Sequence, residues 1–259
     1  MIYEFIKHAI IAGIFASIIC GVLGVYIVLK RIAFISSGIA HGAFGGIGLG
    51  ILLHINPIIT ALVFSVFSAL GIEYSKEKSK LHEDTAIGIL MSVGMALGII
   101  LISISKTYSV DLFGFLFGNI LSVTLLDVYI LMCLTAITLL FFYFFFKEFV
   151  VISFDEEYGK ALGIPVEKLK IVFLMLVAFT VVLLIKIVGI VLVVALLTLP
   201  AAISRRFTKN IKNMIYLSVI ISLISVVLGL SLSWYLDIPS GATIVLTNGI
   251  IFLLSCFKE

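Results

Sequence analysis

Charge is what this sequence has least of. Only 12% of its 259 residues are charged while 63% are hydrophobic, and the mean hydropathy is +1.34. A soluble domain carries about twice that charge, so a water-soluble globule is excluded. Alternating apolar and polar residues over about ten positions are missing too, which excludes a transmembrane β-barrel. Cysteine is scarce: Cys20, Cys133 and Cys256 lie in or at the end of apolar runs. Their spacing fits neither a zinc site nor a disulfide framework, and they read as small buried apolar residues. There is no G-x-x-x-x-G-K-[ST] loop, so the chain cannot itself be a P-loop ATPase, and no H-E-x-x-H of a zinc protease. Ser36 and Ser37 precede Gly38 without forming a G-x-S-x-G nucleophile motif. No small-residue cleavage site follows the N-terminal apolar run, which continues to Leu29 and reads as a first span rather than a signal peptide.

What is present is a series of long apolar runs, near 8–29, 33–53, 57–73, 86–105, 124–146, 168–185, 187–203, 213–236 and 241–257. A helix needs about 20 residues to cross the hydrocarbon. The expectation is an all-α polytopic membrane protein of nine spans. The third run is short and the pair around Lys186 could form one bent or re-entrant element, so eight is the alternative. With nine spans, Lys30, Arg31, Lys76, Lys78, Lys80, Lys147, Lys160, Lys168, Lys170, Arg205, Arg206, Lys209, Lys212 and Lys258 fall on one side, leaving Lys7, Lys106 and Lys186 on the other. The positive-inside rule then puts the N-terminus outside and the C-terminus in the cytoplasm.

The stretch Arg31 to Gly50 stands apart. Gly38, Gly42, Gly46 and Gly50 recur every four residues and form a ridge on which another backbone can pack closely. Ser37, His41, Gly45 and Gly48 lie on the adjacent face. An ionisable group within a span is a functional-site hypothesis by default. Two readings of His41 stand: a packed, hydrogen-bonded histidine, or a ligand for zinc, manganese or iron. His8, His54 and His82 lie near expected interfaces or in loops.

Two loops carry further signals. The external one, Lys106 to Leu126, has Asp111 and Asn119 flanking aromatics and is too apolar for a solvated connector. A short surface helix is expected there. The internal loop near 151–168 opens a helix with Asp155, Glu156 and Glu157, continues through Gly159, Ala161 and Leu162, and stops at Gly163 before Pro165. It reads as a solvated connector or as a docking helix for a cytosolic partner. In the run Ile187 to Arg206, Pro200 is expected to break the last helical turn, with Arg205 and Arg206 stopping the helix at the headgroups. Asp237 to Gly241 reads as a plain turn.

These stretches resemble the permease subunit of zinc/manganese-type metal-ion ABC transporters, bacterial zinc-uptake permeases among them. The resemblance covers essentially the whole chain. It is carried by R-x-A-x(7)-H at Arg31, Ala33 and His41, and by D-L-x-x-x-L-F-G at Asp111, Leu112, Leu116, Phe117 and Gly118. The F-D-E-E to G-I loop from Phe154 to Ile164, the run from Val188 to Ala202, and P-S-G-A at Pro239 to Ala242 complete it.

The resemblance implies one permease domain over 1–259, of the type II importer kind, working as a homodimer in the inner membrane. A cytosolic ATP-binding cassette subunit would dock on the coupling helix around Glu156 to Gly163, and an extracytoplasmic metal-binding protein would deliver the ion. No nucleic-acid partner and no permanently bound cofactor are implied. The substrate would be a divalent ion, zinc first, with manganese or iron as alternatives, passing along the helix that bears His41. The implied metal site is His41 with Ser37; family members often carry aspartate where this chain has Ser37 and Asn119, and its loss at Ser37 leaves His41 and its dimer mate as a transient site. Competing readings are a permease for a metal chelate, an intramembrane enzyme using His41 and a serine, and a secondary metal transporter acting alone.

Overall fold

The computed structural model describes residues 2–78, 83–105 and 112–257; Asp111, Lys106, His82 and Lys258 lie outside the described residues. Among those described there are twelve α-helices and no strand. They are α1 (Ile2–Leu29), α2 (Ala33–Leu52), α3 (Pro57–Lys78), α4 (Glu83–Ser105), α5 (Leu112–Phe117), α6 (Leu125–Phe144), α7 (Phe146–Phe154), α8 (Glu156–Ala161), α9 (Val166–Val188), α10 (Val193–Phe207), α11 (Ile211–Leu236) and α12 (Ser240–Cys256). Seven are long and apolar enough to cross a membrane: α1, α2, α3, α4, α6, α9 and α11. The apolar α12 has 17 residues, at the short end of the spanning range of about 17–25, and α10 has 15.

Local chemistry accounts for the helix ends. Thr124 and Asp127 form a reciprocal capping box at the start of α6. Asn210 caps α11 by accepting from the Lys212 and Asn213 amides. Asp155 caps α8 by accepting from the Tyr158 amide at 2.9 Å. The α1–α2 corner closes in a Schellman arrangement, with Ile32 N–H on the Ile27 carbonyl and Arg31 N–H on the Val28 carbonyl. Its left-handed residue, where glycine is usual, is Arg31 at φ +60°. His54, at φ +54°, closes the far end of α2 in the same way.

Helix α2 packs between α3 and α4, α1 lies on α11, α10 and α6, and α9 packs on α3, α2 and α6. At one end Tyr26, Phe142, Phe149 and Phe173 join α1, α6, α7 and α9. The Tyr26 and Phe142 rings stack at 4.4 Å, and Phe149 meets Tyr26 edge-on. Outward, α4 presents Ile89, Val93, Leu97 and Ile100, and α11 presents Ile220, Ile224 and Val227. Exposed aliphatic faces on helices of spanning length are what a bilayer solvates.

Three sequence expectations change. Lys186 is not a boundary: it sits in the last turn of α9, and the helix ends at Gly189, φ +91°. The charge is held inside the helix because its ammonium meets the Asp127 carboxylate of α6 at 2.5 Å. Pro200 does not break α10, which runs on to Phe207 with Arg205 and Arg206 in its last turn. A proline forfeits one bond to the preceding turn, while two cations at the helix C-terminus favour continuation. Of the cysteines Cys20 alone is buried; Cys133 and Cys256 are exposed on the outer sides of their helices.

Candidate functional site

The helix bearing His41 is almost wholly enclosed. Fifteen of the twenty residues of α2 are buried, and only Ala33, Phe34, His41, Leu49 and Leu52 keep exposure. Phe34, His41 and Leu52 lie along one side, so in the central turns the one opening of α2 is at the imidazole. The His41 Nδ1 lies 2.8 Å from the Ser37 carbonyl oxygen. A carbonyl only accepts, so Nδ1 is the donor, and in the neutral ring Nε2 keeps its lone pair. That is the tautomer a metal-ligating histidine takes when its other nitrogen is anchored to backbone. Ser37 and His41 are thus brought together, but through the Ser37 main chain. Among the described residues no three His, Cys, Asp or Glu side chains cluster as a metal cage.

The glycine ridge is used within the chain. A Cβ on Gly46 would lie 2.5 Å from the Thr60 carbonyl oxygen and 2.8 Å from the Ala61 Cα; one on Gly50 would lie 2.7 Å from the Pro57 Cα. Gly42 faces Ser68, and Gly38 faces Ile72 of α3 and Ile87 of α4. A second seam, Gly45 and Gly48, meets Gly94 and Gly98 of α4. A Cβ on Gly94 would lie 2.7 Å from the His41 carbonyl oxygen and 2.8 Å from the Gly42 Cα. Next to His41, α4 packs backbone to backbone through Gly94, while towards α3 the ridge meets the Ser68 and Ile72 side chains before Gly46 and Gly50 reach the α3 main chain.

At the Lys186 end, three separated segments meet. Gly118 (φ +72°) and Gly189 (φ +91°) lie back to back, and a Cβ on Gly241 would lie 2.6 Å from both the Phe117 and Val188 carbonyl oxygens. The Ile190 N–H donates to the Phe115 carbonyl, the Val191 N–H to the Leu116 carbonyl, and the Asn119 N–H to the Lys186 carbonyl at 3.2 Å. The junction borders an open cleft of about 640 Å³ lined by Gly114, Asn119, Ser233, Trp234, Asp237 and Ser240, among others.

At the opposite end Asp155 caps α8, Gly163 follows it at φ +77°, and Gly159 is buried. Glu157, Ala161 and Leu162 are exposed. Glu156 reaches Lys30 at the α1–α2 corner, Nζ to Oε1 2.7 Å.

The sequence profile of the ABC 3 transport family matches residues 2–259. The chain belongs to the ABC 3 transport family. It is 37% identical over 255 residues to the manganese import system permease protein ScaB of Streptococcus gordonii, covering 98% of this chain and 91% of that protein. Identity to the high-affinity zinc uptake system membrane protein ZnuB of Haemophilus influenzae is 29% over 257 residues, covering 99% and 98%. Among solved structures, PsaBC from Streptococcus pneumoniae in complex with Fab superimposes with a TM-score of 0.88 at 37% identity, covering 100% of this chain and 96% of that one.

In this ABC 3 family protein the Phe117–Gly118, Val188–Gly189 and Pro239–Gly241 motifs, separate in sequence, are the parts that meet at the three-glycine junction. Asn119 is there as a main-chain donor. Some site features went unread in sequence although their signals were visible: Gly94 and Gly98 repeat the four-residue spacing of α2, and T-x-x-D at Thr124 to Asp127 is a capping signature. The Lys30–Glu156 and Lys170–Glu73 pairs, the latter at 2.5 Å, had no local signal.

Proposed function

We propose that this chain is the permease subunit of an ATP-driven importer that moves a divalent transition-metal ion into the cytoplasm. Membership of the family, together with relatives named for manganese and zinc transport, supports the class. The observation that carries the site is the anchored imidazole. His41 is the central opening in an otherwise buried helix, with Nδ1 committed to the Ser37 carbonyl and Nε2 left to bind. With one imidazole and weak oxygen donors, the ion is held briefly, as a transported ion must be. Imidazole suits zinc ahead of manganese, and manganese stands in the name of the 37% relative; both belong in the assay.

The rest of the reading follows from this one. Residues 1–259 form one permease domain. Counting α10 and α12 as crossings with the seven long helices gives nine spans, the N-terminus outside and the C-terminus in the cytoplasm. A second copy faces the exposed side of α2, so that two His41 rings flank one path. The loop near 151–168 docks a separate ATPase subunit, which hydrolyses ATP, through Asp155, Glu156, Glu157, Gly159, Ala161, Leu162 and Gly163. An extracytoplasmic metal-binding protein delivers the ion, and the dimer alternates between outward and inward openings.

The test is uptake of manganese, zinc and ferrous iron into vesicles holding the chain with its ATPase and binding protein. His41→Ala should cut ATP-dependent uptake of the favoured ion sharply at unchanged assembly. Undiminished uptake makes His41 a packing residue, and no movement of any of the three ions by the competent complex refutes the substrate class.

A further inference from the structure

We infer that the Lys30–Glu156 ion pair is the joint through which motion of α8 reaches α2 and His41. The inference rests on the proposed docking of the 151–168 loop to an ATPase, and adds to it the residue that passes the motion on. Lys30 and Glu156 are 126 positions apart, yet Nζ and Oε1 meet at 2.7 Å. The Lys30 side chain is only 9% exposed, so its charge depends on this partner. Glu156 keeps 42% exposure, so the pair is half open, but separating it leaves the enclosed ammonium without its carboxylate.

The attachment points are favourably placed. Glu156 is the first residue of α8, directly after the Asp155 cap. Lys30 sits between α1 and α2, in a corner fixed by three backbone hydrogen bonds: Lys30 to Tyr26, Arg31 to Val28 and Ile32 to Ile27. Three residues later α2 begins, so a force on Lys30 enters the first turn of the His41 helix. From there α2 meets the Ile72 and Ile87 side chains at Gly38, then packs backbone to backbone on α4 at His41 and Gly42 and on α3 at Gly46 and Gly50. A displacement of the N-terminus of α2 is carried along the helix to that clamp.

The surroundings leave room for movement. A cavity of about 390 Å³ separates the α1–α2 corner from α7 and α9, and its lining includes Lys30, Arg31, Ser153, Glu156 and Lys170. The pair spans an open space, so α8 is linked to the corner by this contact instead of by continuous packing. Lys170, on the same cavity, is engaged by Glu73 of α3 at 2.5 Å. A shift of α8 that broke the Lys30 pair would find the neighbouring cation already occupied. The pair holds, and α2 follows.

The experiment uses the complete complex in vesicles and reads manganese or zinc ions moved per ATP hydrolysed. Lys30→Glu should leave the ATPase bound and lower that ratio at least about tenfold, within the coupling range of residues in contact. Lys30→Arg, which keeps the cation, should retain most of that ratio. A Lys30→Glu complex with the wild-type ratio overturns the joint, and so does a Lys30→Arg complex no better than Lys30→Glu. A second measurement does not depend on those variants. Spin labels at Tyr158→Cys and Arg31→Cys, both exposed positions, in a chain with Cys133→Ala and Cys256→Ala, should keep their separation within one copy when ATP binds; a changed separation overturns the joint. Failure of the docking reading looks different: the ATPase then does not co-purify with the wild-type chain.

Discussion

Adding one methyl group at Gly46 tests whether α2 is held by backbone contact. A Cβ there would lie 2.5 Å from the Thr60 carbonyl oxygen and 2.8 Å from the Ala61 Cα and the Phe64 Cβ. Ordinary contacts need about 3.3–3.6 Å for carbon to carbonyl oxygen and about 3.5–4.0 Å for carbon to carbon. The shortfall is roughly 1 Å against main-chain atoms, which cannot rotate aside. The two helices must part, and a gap of about 0.5–1 Å forfeits about a quarter to a half of each dispersion contact along the seam. Overpacking of this kind costs about 1–3 kcal/mol, offset by at most about 1 kcal/mol of helix propensity. Gly71, on α3, is the control: nothing lies within 4 Å of its Cβ position, so Gly71→Ala should be neutral or stabilise by up to about 1 kcal/mol. The pair should therefore differ by about 2 kcal/mol in reversible unfolding in detergent, followed by helical circular dichroism. Equal stability of Gly46→Ala and Gly71→Ala would refute backbone clamping of the His41 helix.

Other outcomes follow from the same reasoning. Gly163 and Gly189 are both left-handed, but Gly163 has open space around it while Gly189 abuts the Phe117 and Gly118 backbone. Gly163→Ala should cost about 1–2 kcal/mol from conformation alone, and Gly189→Ala clearly more, read as lower yield and melting temperature. Asp127 both pairs with Lys186 and caps α6, and the pair is partly exposed. Asp127→Asn should thus cost about 1–3 kcal/mol, more than Lys186→Met, in the same unfolding assay. Arg31→Gly should raise stability by about 1 kcal/mol, because glycine relieves the left-handed residue at the α1–α2 corner. A melting point that falls instead would show that the exposed guanidinium holds the corner.

Much of the scaffold is legible in the sequence, because membrane spans announce themselves by unbroken apolar length. The second run, 33–53, matches Ala33–Leu52 almost residue for residue, and 241–257 matches Ser240–Cys256. The acidic start and glycine stop around Glu156 to Gly163 likewise sit on α8. Reading failed where a rule about single residues met a tertiary partner. Lys186 looks like the end of a span until Asp127, 59 positions away, is seen to neutralise it. Pro200 looks like a terminator, and the helix accommodates it. The left-handed turn at Arg31 gives no warning, since the residue that usually marks such a turn is absent. The glycine spacing showed that something would pack on α2. Which neighbours do so is a matter of topology, and topology is where local pattern carries least information.

The enclosure of α2 has a consequence for how the chain enters the bilayer. Of the seven helices long enough to span, it is the least apolar, and it is also the most buried. A segment this rich in glycine, with a histidine at its middle, gains little from lipid when presented alone. Its stable residence in the membrane comes from α3 and α4, which follow it in the chain. During synthesis the His41 helix must therefore wait for those later segments before it is secured, and a chain cut short after α2 would leave that helix poorly inserted.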